Sequence, residues 1–136
     1  IPFEIIPGIT SAFAAPESFG IPLTRRGKYS SIAVLTGRKS NGEQIDAPKA
    51  DTLIYLMAVA NIKNVVAAVL RSGKKRGTSC AFIERGTTNS ERIVRGNLGN
   101  IIEKARKAAV KSPAVFIVGE VVNYGKKIQA KKFKTR

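Results

Sequence analysis

Three consecutive stretches decide the fold class: Thr52-Leu-Ile-Tyr-Leu-Met-Ala58, then Asn61-Ile-Lys-Asn-Val-Val-Ala-Ala-Val-Leu-Arg-Ser72-Gly73, then Ser79-Cys-Ala-Phe-Ile-Glu84. The first is almost unbroken apolar sequence, as in strands covered by helices on both faces. In the second, Ile62, Val65, Val66, Val69 and Leu70 recur at helical spacing. Asn61 is placed to cap that helix and Gly73 to stop it. The third is a further apolar strand. Strand, amphipathic helix and strand in succession argue an α/β layered domain.

The flanking sequence extends this pattern. Phe3-Glu4-Ile5-Ile6 reads as a short extended piece broken by Pro7-Gly8. Thr10 or Ser11 caps a helix over residues 11–19, which tolerates Pro16 and ends at Gly20. Residues 30–36 form an apolar strand, and residues 38–50 a polar loop. After Glu84 come a turn over 85–89, a half-exposed strand over 91–95, a turn at Gly96-Asn97 and a helix over 101–110. Pro113 breaks that helix, and residues 114–122 form the last strand. The expected architecture is a three-layer αβα domain with a mixed, mostly parallel five-stranded sheet. One antiparallel pair is expected around the 86–90 turn.

The 136 residues suit one domain, which buries about two-thirds of its unfolded surface. Hydrophobic residues make up 43% and charged residues 24% of the chain, so wholesale disorder is excluded. The single Cys80 cannot form an internal disulfide and points to a reducing compartment, the cytoplasm. The longest aliphatic run, residues 65–70, falls far short of the roughly 20 residues that span a bilayer, so no membrane partner is expected. With no His, Ser-His and Cys-His nucleophile pairs and nearly every zinc site are removed.

Twenty-four basic against nine acidic residues give a net charge of +15. Such a surface attracts polyanions: nucleic acid, an anionic membrane, or a small molecule rich in carboxylates or phosphates. Six of the cations crowd into a basic tail over residues 126–136, which carries no acid. Most aromatics sit within apolar segments; only Tyr29, Tyr124 and Phe133 have basic neighbours. The stacking platform expected of a nucleic-acid binder is therefore missing. A basic nucleic-acid-binding α/β module stays as the alternative, on charge alone. The chain opens without Met, inside an apolar segment, and the expectation is a piece of a longer protein cut upstream.

Glycine-rich nucleotide fingerprints, phosphate loops, nucleophile elbows and metal-ligand clusters are absent from the sequence. Glu84 and Glu120 each end an apolar run. Either could act as a base at the edge of an α/β sheet, but a paired carboxylate is the expected reading. Cys80, within an apolar strand, reads as a buried, inert thiol, and Met57 as core filler. No catalytic residue and no metal ligand is nominated.

Four segments, in order, carry a resemblance: Ile6-Pro-Gly-Ile-Thr-Ser-Ala12, Gly20-Ile-Pro-Leu-Thr-Arg-Arg26, Ile83-Glu-Arg-Gly-Thr-Thr88, and Ser112-Pro-Ala114 with Ile117-Val-Gly-Glu-Val-Val122. Over residues 1–125 the chain resembles the carboxyl-terminal domain of the tetrapyrrole methylase family. The resemblance implies methyl transfer from S-adenosyl-L-methionine to uroporphyrinogen III at C2 and C7. The product, precorrin-2, feeds siroheme and cobalamin synthesis. It also implies a homodimer with the active site between two α/β lobes. The octacarboxylate substrate suits a cationic protein. Carried over by motif, Thr10, Ser11, Met57, Gly86 and Ala114 become cofactor-binding residues, and Arg25 and Arg26 candidates for substrate carboxylates. Met57 stands between Leu56 and Ala58 where the family has Tyr and Gly, and Ala58 is expected to narrow the approach of backbone to ligand. The family's amino-terminal Gly-x-Gly-Pro-Gly-Asp and Gly-Gly-Asp-Pro loops have no counterpart here. The chain is therefore expected to carry about half of the cofactor site and not to catalyse alone.

Overall fold

A computed structural model describes residues 1–40 and 43–129, with side chains as far as residue 125. The elements run α1 (Ser11–Ser18), β1 (Ile32–Thr36), β2 (Thr52–Leu56), a 3-10 turn (Val59–Asn61), α2 (Ile62–Arg71), β3 (Ser79–Glu84), β4 (Arg92–Asn97), α3 (Ile101–Lys107), β5 (Ala114–Val118) and α4 (Val122–Gln129). Among the described residues no helix is long and apolar enough to cross a membrane.

The five strands make one mixed sheet in the order β1-β2-β5-β3-β4. Helices α2 and α3 cover one face. There Val65, Val69, Ile101 and Ala105 pack on Leu53, Tyr55, Phe82 and Phe116. The Phe82 and Phe116 rings lie 4.6 Å apart, a favourable tilted contact. The other face carries Ala12, Ala15, Phe19, Val121 and Val122 against Ile54, Ala81, Ile83 and Ile117. This is the three-layer αβα arrangement expected, with the hairpin around the 86–90 turn.

The sheet is not mostly parallel. Only β1 and β2 pair parallel; β2–β5, β5–β3 and β3–β4 are antiparallel. Each strand–helix–strand unit does return its second strand in the direction of the first: β2-α2-β3 and β4-α3-β5. Each unit also skips one position, and the two interleave. Strands that run the same way are therefore not hydrogen-bonded neighbours. Burial on both faces follows from the helical layers, and it gives an apolar run whichever way the neighbours point.

Several boundaries differ from the sequence reading: the first helix ends at Ser18, the first strand begins only at Ile32, and the helix expected over 101–110 ends at Lys107, before Ala109 turns left-handed. The second strand stops at Leu56, because Met57 adopts a left-handed φ of 56°. The fourth strand runs through Gly96 to Asn97, and the turn comes after it. Asn97 N–H donates to Asn100 Oδ1 at 2.9 Å, and Gly99 N–H to Asn97 Oδ1 at 3.0 Å. The last strand ends at Val118. Gly119 turns the chain at a φ of 148°, where a Cβ would lie 2.8 Å from Asp51 O. Val121 leads into α4, which begins at Val122, so the basic tail expected over 126–136 begins inside a helix. Residues 130–136 lie outside the described residues.

Candidate cofactor cleft

Strands β1, β2 and β3 end, and β4 and β5 begin, at one edge of the sheet. A cleft of about 450 Å³ opens there, lined by Ser11 and Ala15 of α1, by Leu56 and Met57 after β2, by Ile83, Arg85, Gly86 and Thr88 around the β3–β4 turn, and by residues 112–115 leading into β5. That volume is typical of sites for small organic ligands, about 300–1,000 Å³.

Helix α1 brings Ser11 and Ala15 to the cleft, and Thr10 fixes where it starts. Thr10 Oγ1 accepts from Ala12 N–H at 3.3 Å, and Thr10 O accepts from Phe13 and Ala14 N–H at 3.1 Å. Thr10 itself does not line the cleft; it fixes the helix start that presents Ser11.

Gly86 lets α1 approach the β3–β4 turn. A Cβ on Gly86 would lie 2.5 Å from Ala15 Cβ and 2.9 Å from Ala15 Cα. The turn is pinned on both sides. Arg85 N–H donates to Pro113 O at 3.0 Å, and Arg85 O accepts from Thr88 N–H at 3.1 Å and from Thr88 Oγ1 at 2.7 Å.

Met57 is not core filler. It is 58% exposed and stands at the mouth of β2 in the left-handed region. Ala58 is fully buried, and its packing partner is Gly37 rather than open space: a Cβ on Gly37 would sit 2.6 Å from Ala58 Cα. Tyr55 points away into the α2 layer, where its hydroxyl donates to Asp46 O at 2.6 Å. Burial pushes that phenol up to about 12.

The non-glycine residues with positive φ among the described residues are Met57, Arg85, Thr87 and Ala109. All four stand at this sheet edge. Such conformations cost about 1–3 kcal/mol each and concentrate at functional sites.

Thus Ser11, Met57, Gly86 and Ala114 converge on one hollow. Arg25 and Arg26 do not. Thr52, at the opposite end of β2, donates its hydroxyl to Leu23 O at 2.9 Å, which holds the 21–26 segment at the far edge of the sheet. The Arg25 guanidinium lies 4.4 Å over the Tyr124 ring and donates to the Tyr124 hydroxyl. Arg85, Ser112 and Pro113 line the cleft without having been singled out. They belong to the quoted Glu-Arg-Gly-Thr and Ser-Pro-Ala segments, and that placement was the available signal.

Neither Glu84 nor Glu120 is poised as a base. Glu84 is 2% exposed, paired with Arg92 Nε, and accepts from Lys111 N–H at 2.8 Å. Burial pushes its carboxyl up, but the bonds from Arg92 and Lys111 outweigh that and hold it below its ordinary value. Glu120 accepts from Ser79 N–H and from Asn123 Nδ2, at 3.1 and 2.8 Å. Cys80 is buried, which pushes its thiol up to about 12 and leaves it un-nucleophilic at neutral pH.

The cleft fits a nucleoside-containing cofactor. Its lining is chiefly apolar, as in most small-molecule sites, and its polar groups are few: Ser11, Thr88, Ser112, Arg85 and the turn backbone. One cation, Arg85, stands on its rim.

The chain is 45% identical over 129 residues to a uroporphyrinogen-III C-methyltransferase of Methanocaldococcus jannaschii, covering 90% of this chain and 53% of that protein. Its structure resembles the uroporphyrin-III C-methyltransferase of Thermus thermophilus, with a TM-score of 0.81 and 32% identity over 94% of this chain and 56% of that one. A crystal structure of the Thermus enzyme complexed with S-adenosyl homocysteine matches with a TM-score of 0.73 at 32% identity, covering 90% of this chain and 55% of that one. The chain spans about half the length of the curated relatives it matches. The profile of the Tetrapyrrole (Corrin/Porphyrin) Methylases covers residues 1–102, and on that match, joined to the fold, the chain belongs to the tetrapyrrole methylases.

Proposed function

We propose that this chain forms one wall of the S-adenosyl-L-methionine site of a C-methyltransferase that converts uroporphyrinogen III to precorrin-2, on the way to siroheme and cobalamin. The convergence of Ser11, Met57, Gly86 and Ala114 on a single cleft carries the reading. S-adenosyl-L-methionine supplies an electrophilic methyl group when bound. The residues of this chain orient and enclose it, and holding reacting atoms together can itself lower a barrier by about 7–11 kcal/mol. Met57 and the aliphatic lining pack the nucleoside. Gly86, lacking a Cβ, lets α1 close on the turn. Ser11 offers a hydroxyl beside a capped helix start, and Thr10 acts through it as a positioning residue.

Nothing in the cleft supports Arg25 and Arg26 as substrate ligands within one copy of the chain. The exposed Ile32 and Val34 on β1, an edge strand among the described residues, support the homodimer implied by the family resemblance. The buried thiol of Cys80 supports a reducing, cytoplasmic location.

Isothermal titration with S-adenosyl homocysteine tests the cofactor reading. Micromolar binding is expected for the full-length polypeptide that carries residues 1–136. Residues 1–136 alone are expected to bind far more weakly, because they resemble only half of the family's cofactor site. Absence of binding by the full-length polypeptide would sink the proposal.

A further inference from the structure

We propose that Asn61 is a positioning residue for the cofactor: through Gly37 it holds Met57 in the left-handed conformation that presents this side chain to the cleft. The inference rests on the methyltransferase reading above and deepens it, by naming a residue outside the cleft that sets the shape of its β2 wall.

At the start of α2, an Asn side chain would ordinarily accept from an N–H of the first helical turn. Asn61 makes no such cap bond. Its Nδ2 instead donates to Gly37 O at 3.1 Å, reaching across to the end of β1. The sequence signal at Asn61 is therefore real, but the side chain serves a neighbouring strand rather than its own helix.

Gly37 in turn grips the chain on both sides of Met57. Its N–H donates to Leu56 O at 2.6 Å, just before Met57. Ala58, just after Met57, lies so near that a Cβ on Gly37 would sit 2.6 Å from Ala58 Cα and 2.9 Å from Ala58 N. Asn61 N–H then donates to Ala58 O at 3.1 Å. Met57 is thus enclosed in a ring of contacts that runs from Leu56 to Gly37, from Gly37 to Asn61, and from Asn61 back to Ala58. Gly37 cannot drift, because the Thr36 hydroxyl donates to Arg38 O at 2.8 Å and accepts from Arg38 N–H at 3.2 Å.

A non-glycine residue stays left-handed only where its surroundings over-determine it. Met57 has a φ of 56° and a side chain 58% exposed, so its own packing does not supply that constraint. The ring of contacts does. Of its three hydrogen bonds, only the one from Asn61 Nδ2 is made by a side chain, so it is the one a substitution can cut. Gly37, Ala58 and Asn61 do not line the cleft, whereas Leu56 and Met57 do. Asn61 therefore reaches the cofactor only through the backbone it holds.

The test uses the full-length polypeptide that carries residues 1–136, with S-adenosyl homocysteine titrated by calorimetry and folding followed in urea. Asn61→Asp keeps the side-chain shape and an oxygen able to cap α2, and a carboxylate suits a helix start, but the N–H donor to Gly37 is gone. Asn61→Asp and Asn61→Ala are each expected to weaken S-adenosyl homocysteine roughly three- to tenfold. Unchanged affinity in Asn61→Asp would mean that Asn61 serves α2 alone, and would overturn the proposal. The same titration is repeated with Asn61→Asp added to Met57→Gly. Glycine takes the left-handed conformation without being held there and has no side chain to aim. In that background Asn61→Asp should alter affinity by less than about twofold. A loss of equal size in both backgrounds would mean that Asn61 acts by a route other than Met57, and would also overturn the proposal. Should Asn61→Ala not fold, the two Asn61→Asp titrations decide. Failure of the unaltered protein to bind S-adenosyl homocysteine would instead overturn the underlying enzyme reading.

Discussion

Met57 and Gly86 show how single residues are fixed by the cleft. Met57 is held in a conformation that suits glycine, while its side chain is largely exposed. Replacing it with Gly relieves backbone strain in the folded state but adds freedom to the unfolded chain, two effects of about 1 kcal/mol that oppose each other. Met57→Gly should therefore change stability by less than about 1 kcal/mol in urea unfolding, yet weaken S-adenosyl homocysteine about tenfold in calorimetry. Loss of stability without loss of affinity would show that Met57 serves only the strand end. Gly86 is the converse. Its φ is ordinary, and what it lacks is room, since Ala15 occupies the space of a Cβ. Gly86→Ala should cost about 1–3 kcal/mol through overpacking, and Ala15→Gly should recover part of that loss in the double variant. Strictly additive costs in chemical denaturation would contradict the contact. The glycine was visible in the sequence as part of a motif, but its physical reason was not. The reason lies in a helix about 70 residues away in the chain.

At the scale of elements, the β3–β4 hairpin and the approach to β5 are locked together by Glu84. The register sets Glu84 opposite both Arg92 and Ala114. A carboxyl whose value is depressed in the folded state adds stability above its unfolded value, and that stability is lost as the pH falls through the folded value. Unfolding free energy should therefore decline as the pH drops below about 4.5, the ordinary value for this group. Glu84→Gln should flatten that acid limb and cost about 1–3 kcal/mol at neutral pH, since it leaves Arg92 without its charge partner. Thermal melts across pH check this, and an unchanged acid limb would show that other carboxylates govern it. The sequence placed both Glu84 and Arg92 on strands. It favoured a paired Glu84 over a base but could not name Arg92 as the partner, because the partner is chosen by register, which no local pattern states. Likewise α4 was hidden in Val121-Val122, which have strand propensity. Packing of these valines beneath Ile54 and Ile117 overrides it.

For the whole molecule, β1 leaves one sheet edge unpaired among the described residues, with Val34 48% and Ile32 37% exposed. Exposed apolar edge strands invite association. Light scattering on the full-length polypeptide should give a dimer mass, and Val34→Lys should shift it towards monomer without changing the melting profile of the fold. A dimer indifferent to that substitution would place the interface elsewhere. The layered α/β class, five strands, the capped first helix and the hairpin all follow from local pattern. Apolar period, capping groups and turn residues act within a few residues of one another, so a single chain displays them. The interleaving of the two crossovers, the antiparallel neighbours and the banishment of Arg25 and Arg26 to the far edge follow only from assembly. They depend on which strand slips between which, and that is decided by competition among long-range packings rather than by any segment alone. The same assembly gathers Ser11, Met57, Gly86 and Ala114, separated by up to about a hundred residues, around one hollow.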